Sequence, residues 1–110
     1  MEKKKPDLPQ GTLDLLVLKT LSLRPLHGYG IGQRIRQLAD EMLAVEEGTL
    51  YPSLYRMEQR GWIKAKWGIS DNGRRARFYA LTATGRKQLE AEQEHWDYIS
   101  LAVTKILGAQ

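Results

Sequence analysis

Residues 46–81 read EEGTLYPSLYRMEQRGWIKAKWGISDNGRRARFYAL, an amphipathic helix that stops at a glycine and is followed by a basic two-stranded hairpin. Leu50, Leu54 and Met57, spaced four and three apart, form one apolar stripe. Glu46 and Glu47 suit the positive end of a helix dipole. Pro52 is tolerated only within the first turn, and Gly61 is placed to end the helix. Thr49, Tyr51, Ser53, Arg56 and Arg60 then point largely outward, while Tyr55 is assigned to packing against the first helix. In the hairpin, Ile63, Ala65 and Trp67 alternate with Lys64 and Lys66, and Arg77, Tyr79 and Leu81 alternate with Phe78 and Ala80. Asp71, Asn72 and Gly73 supply the turn, which puts Arg74 and Arg75 at or beside its tip. Trp67 is read as a lid on the core rather than a stacking platform for bases.

Charge follows the same stretch. Residues 48–87 carry nine basic side chains against two acidic ones, a local balance of +7 in a chain whose formal net charge is +4. The remainder is therefore acidic, and positive charge gathers where a polyanion would be met. A helix with a hydrogen-bonding face suits the major groove, where base edges present donors, acceptors and thymine methyls. Arginines on a hairpin tip can lie along phosphates or enter the adjoining minor groove. Helix and hairpin in this order predict a mainly α fold with a small β-hairpin, a winged helix-turn-helix, with double-stranded DNA as its ligand. The candidate contacts are Thr49, Tyr51, Ser53, Arg56 and Arg60 on the helix, and Lys64, Lys66, Arg74, Arg75 and Arg77 on the hairpin.

Working toward the N-terminus, Met42–Val45 is a short apolar stretch read as a third minor strand beside the wing. A helix over about 28–39 places Ile31, Ile35 and Leu38 on one face. Its opening GYGIG has the wrong spacing for a dinucleotide loop and no strand before it; Gly30 and Gly32 instead indicate close packing or looseness. His27 is read as ordering the turn after Pro25. A first helix, capped by Thr12 and running to about Leu23, carries Leu13, Leu16, Val17 and Leu21 as a stripe that Leu15 and Leu18 widen, so it is buried on more than one side. Residues 1–10, with three consecutive lysines and two prolines, form a basic arm.

Toward the C-terminus, Thr82 caps a helix reaching about Leu107. Leu89, Trp96, Ile99, Val103 and Ile106 are spaced seven, three, four and three, a heptad seam with Glu92 as its polar member. Such a stripe needs a partner, and a second copy is the obvious one. The chain thus divides into the arm at 1–10, the DNA-binding domain at 11–81 and a dimerisation helix at 82–110. A homodimer would offer two recognition helices to one face of a duplex and read an inverted repeat.

The strings GTLDLLVLKTL, HGYGI, EGTLYPSLYRMEQRGWI and RRARFYALTATGRKQL, in this order, resemble the PadR family of bacterial transcriptional regulators over about residues 11–89. The resemblance implies a dimeric winged-helix repressor whose recognition helix bears the tyrosine matched by Tyr51, in the shorter subgroup with one C-terminal helix. Gly30 stands where members often carry an acid, and Met57 where leucine is common. Trp96, large for a tight seam, resembles the central tryptophan of the multidrug-sensing branch. That likeness implies a planar aromatic effector between the two copies, whose binding releases DNA; simple interface packing is the alternative.

Other classes fit less well. His27 and His95 stand far apart, no nucleophile, base and carboxylate set is suggested, and no metal-ligand spacing appears, so neither an enzyme nor a cofactor is expected. Without cysteine there is no disulfide framework. The longest apolar run, Leu15–Leu18, is far short of a membrane span, which points to a cytoplasmic protein without a membrane partner. A nonspecific architectural or RNA-binding winged helix would use the same basic hairpin and is the rival reading.

Overall fold

The computed structural model describes Lys5 and residues 7–110, so half of the basic arm, with Lys3 and Lys4, lies outside the described residues. The elements run α1 Gln10–Leu23, β1 Leu26–His27, α2 Gly28–Leu38, α3 Glu47–Gln59, β2 Ile63–Ile69, β3 Arg75–Leu81 and α4 Ala83–Leu107. The three strands form one antiparallel sheet in the order β1-β3-β2. The mainly helical, winged arrangement is the one the sequence predicts.

Helix α1 is the centre of the core. Its Val17 and Leu18 have no exposed surface, and Leu13 and Leu21 are buried beside them, against Ile31 and Ile35 of α2 and Leu50, Leu54 and Met57 of α3. Each such side chain contributes about 1.5–3 kcal/mol when fully removed from water. Ile63, Tyr79 and Leu81 close the cluster from the sheet, and Leu89 closes it from α4.

Three local expectations change. Thr12 does not cap α1: Pro9, entering with φ −56° and ψ 148°, precedes the first helical residue, and its carbonyl accepts from the Leu13 amide at 3.0 Å. The ring of Pro9 presets a dihedral close to the helical one, so winding begins two residues before Thr12. Pro52 is the sixth residue of α3 rather than part of its first turn. The third strand is β1 rather than Met42–Val45, with Leu26 opposite Tyr79 and His27 opposite Phe78. Residues 42–45 cannot reach the sheet because Asp40 and Glu41, at φ 50° and 65°, fold the chain back at the end of α2 and leave Met42 exposed.

His27 does order its turn: its Nδ1 accepts from the Gly30 amide at 3.0 Å and caps α2. Gly61, at φ +76°, ends α3 as expected. Thr82 caps α4 by accepting from the Gly85 amide at 3.0 Å, and its hydroxyl meets the Gly61 and Trp62 carbonyls at 2.6 and 3.0 Å. The start of α4 is therefore fastened to the segment between recognition helix and wing. At Gly85 a Cβ would lie 2.0 Å from the Trp62 carbonyl oxygen, closer than any real contact.

In a free helix, Gly→Ala stabilises by roughly 1 kcal/mol. Here the sign reverses: Gly85→Ala is expected to destabilise by about 1–3 kcal/mol or more through overpacking, read as a lower urea midpoint. An unchanged or raised midpoint would contradict the close approach.

Candidate nucleic-acid interface

Helix α3 presents four different sides. Leu50, Leu54 and Met57 face the core, and Ser53 lies with them at 0 % exposure. The opposite side, at helical spacing, is formed by Gly48, Pro52, Tyr55 and Gln59, all exposed. Tyr51 and Glu58 lie on the flank toward the hairpin, and Thr49, Arg56 and Arg60 on the flank toward α1.

This rearranges the expected contact face. Ser53 is not outward: adding it to the apolar stripe widens the buried side, and its hydroxyl donates to Asp14 Oδ1 of α1 at 2.5 Å. Arg56 is half-buried and reaches the same oxygen at 3.4 Å. Thr49 is exposed, its hydroxyl donating to the Glu46 carbonyl at 3.0 Å. Arg60 is exposed and lies over the Trp62 ring at 5.1 Å, away from the wing cleft. Tyr55, assigned from sequence to packing, is instead 65 % exposed, because α1 reaches the adjacent flank through Asp14 and leaves the crest of α3 bare.

The hairpin register is Ile63–Leu81, Ala65–Tyr79, Trp67–Arg77 and Ile69–Arg75, which puts these eight side chains on one face. Near its base that face is core; toward its tip it is exposed and cationic. Trp67 is no lid: it is exposed, with the Arg75 guanidinium 4.7 Å from its ring centre. Arg77 lies 5.7 Å from the Tyr79 ring and pairs with Glu58 of α3 at 2.9 Å, tying wing to helix. The same alternation sends Lys64 and Lys66 to the other face, beside Ala80 and Phe78, so they do not converge with α3. Gly73, at φ +80°, closes the turn, and the Ser70 amide donates to the Arg74 carbonyl at 2.8 Å.

Between α3 and this face runs an open cleft of about 690 Å³, lined by Tyr51, Tyr29, Gln33, Trp67 and the three arginines Arg74, Arg75 and Arg77. Tyr51 is 45 % exposed and rests on Gly28, where a Cβ would come within 2.7 Å of its ring. The glycine whose smallness matters in GYGIG is therefore Gly28, the one that seats this tyrosine. Tyr29, Gly28, Glu58 and Asp14 line or brace this candidate site and the sequence pattern did not single them out, while Tyr55 was assigned to packing and lies on its exposed crest. Aromatic edges and hydroxyls on one wall and guanidiniums on the other suit a phosphate strand passing between two grooves.

An exposed helical crest, a cationic wing and a short strand between the first two helices define a winged helix-turn-helix of the DNA-binding kind. The chain matches the transcriptional regulator PadR-like family over residues 17–91 and belongs to that family. It is 31 % identical to an uncharacterized protein of Lysinibacillus sphaericus over 91 residues, 82 % of this chain and 83 % of that one. Among solved structures, a transcriptional regulator from Clostridium thermocellum superposes with a TM-score of 0.79 at 30 % identity, covering 87 % of this chain and 93 % of its own. A PadR-like transcriptional regulator from Bacillus cereus does so with 0.78 at 27 % identity, covering 92 % and 96 %. The protein is thus a PadR-family transcriptional regulator, which implies DNA-binding regulation.

At the foot of the cleft, burial raises the Tyr79 phenol above its ordinary value of 10.0, with the Arg77 guanidinium pulling the other way. The folded chain holds this proton longer than the unfolded one. The stability linked to Tyr79 is therefore complete below pH 10.0 and is lost as pH rises through the folded value. The urea midpoint of wild type should fall relative to that of Tyr79→Phe as pH rises from neutral through that point. A constant difference would contradict the shift.

Proposed function

We propose that the protein is a sequence-specific repressor that binds double-stranded DNA as a homodimer on an inverted repeat. The observation that carries this reading is the shared cleft: Tyr51 of the recognition helix and Arg74 and Arg75 of the wing face the same open channel. In this reading the crest with Tyr55 and Gln59 enters the major groove. Tyr51 reaches a base edge or the flanking phosphate, and the tip arginines follow the neighbouring backbone. Thr49 and Arg60 border the groove on the far flank. Arg77 acts mainly as the clasp to Glu58. Lys64 and Lys66, on the opposite face, add long-range charge.

Dimerisation is supported by α4, whose 25 residues span roughly 37 Å. Leu89, at 9 % exposure, already belongs to its own subunit's core and leaves the proposed seam. Trp96, Ile99, Val103 and Ile106 remain exposed on the distal part, with Leu101 and Leu107 beside them. A second copy covering this stripe sets two recognition helices about one helical turn, ~34 Å, apart. Trp96, 48 % exposed in that stripe, is the place for a planar aromatic effector held between copies, which would release DNA if it favours the unbound spacing. Among the described residues no helix is long and apolar enough to cross a membrane; a cytoplasmic location fits a regulator of this kind.

Selection of bound duplexes from a random pool tests the reading. Wild type should enrich a two-fold repeat and prefer it to random duplex and RNA by orders of magnitude, about 10³ or more. Equal binding to all competitors would favour the architectural alternative. Replacing Arg74 and Arg75 together by Ala should weaken every sequence alike and lower the salt slope by up to about two, whereas Tyr51→Ala or Tyr55→Ala should change the enriched sequence. Titration with planar dyes should quench tryptophan fluorescence in wild type and not in Trp96→Phe; equal quenching in both would remove the effector site.

A further inference from the structure

Asp14 and Ser53 are polar, buried and placed inside an otherwise apolar cluster, at 6 % and 0 % exposure. They come from different helices, α1 and α3, and they meet at 2.5 Å. Arg56 adds a second bond from α3 to the same carboxylate oxygen at 3.4 Å. With its amide oxygen turned toward Arg56, Gln10 of α1 accepts from Nε at 3.0 Å and Nη2 at 3.3 Å. Two residues of α1 thus hold two residues of the recognition helix by directional bonds.

The hydrophobic core residues these two helices contribute are Leu, Val and Met side chains, whose attraction depends on area and not on orientation. Such a surface tolerates small rotations and slides, methionine most of all. The polar set does not: displacing α3 by one residue turns it by roughly 100° and shifts it by about 1.5 Å, which carries Ser53 away from Asp14. A buried ion pair is a poor source of net stability, because desolvation offsets most of the attraction; its best-attested contribution is to register.

We propose that Asp14 is a positioning residue for DNA recognition: through Ser53 and Arg56 it fixes the rotation and height of α3 on α1. This rests on the dimeric DNA-binding reading above. Helix α1 also packs against α4, so the same pin sets where each recognition crest stands relative to its partner's. Asp14 touches no DNA, yet it determines which half-site spacing the dimer accepts.

The test uses the full chain with Asp14 and Ser53 replaced together, Asp14→Leu/Ser53→Ala, which leaves neither partner orphaned, since Arg56 can turn to water. Ser53→Ala alone serves as the milder second variant. Urea unfolding, dimer state and binding to the wild-type-selected duplex are measured, along with duplexes whose half-sites are moved one base pair closer or farther apart. The double variant should keep a wild-type urea midpoint and dimer state. Its preference for the selected spacing should fall about tenfold, the scale of one lost base contact, and Ser53→Ala should fall in between. Unchanged spacing preference in a folded variant overturns the proposal. So does a loss that disappears when binding is corrected for the folded fraction in both variants. If wild type enriches no repeat at all, the dimeric reading fails first and the positioning role with it; enrichment by wild type with no change in the variants sinks the positioning role alone.

Discussion

Val17 and Leu18 on adjacent positions of α1 have no exposed surface, so this one helix must be covered on several sides at once. That requirement organises the molecule. Helices α2 and α3, the base of the hairpin and the first turns of α4 all close on α1. The recognition helix and the wing are what extends outward once this burial is complete. The apolar cluster contributes most of the driving force, and its lack of direction is why a few polar contacts matter for placement.

Those contacts divide the cationic side chains into two kinds. Arg56 and Arg77 are committed inward, to Asp14 and Glu58, and join α3 to α1 and to the hairpin respectively. Arg74 and Arg75 remain at the tip, Arg75 braced over Trp67 with its charge available to solvent. On the reading proposed above, a phosphate strand in the cleft would meet the Arg75 guanidinium already held over Trp67, which lowers the ordering cost of binding.

The order of the four helices and the hairpin, the winged architecture, the Gly61 and Gly73 bends and the Thr82 cap were legible because each depends on local chemistry: periodicity, turn residues and a hydroxyl one turn before its amide. The contact face of α3 was half legible. Leu50, Leu54 and Met57 locate the buried side, but nothing local says that Asp14, far away in the chain, draws Ser53 and Arg56 inward and leaves Tyr55 outside. Strand β1 was missed because two residues carry no alternation, and Leu26–His27 become a strand only by pairing with β3. Leu89 fits a heptad with Trp96 by spacing alone; the difference between them is that the core ends between the two, a tertiary fact.

In the function proposed above, two copies of one crest and one wing meet a single duplex face. Hydroxyl-radical footprinting of wild type on its selected duplex tests this most directly. A dimer so placed should give two protected stretches centred about 10–10.5 base pairs apart on one side of the helix, each flanked by a wing-protected stretch of backbone. Protection of one isolated stretch, or even protection along the whole fragment, would contradict it.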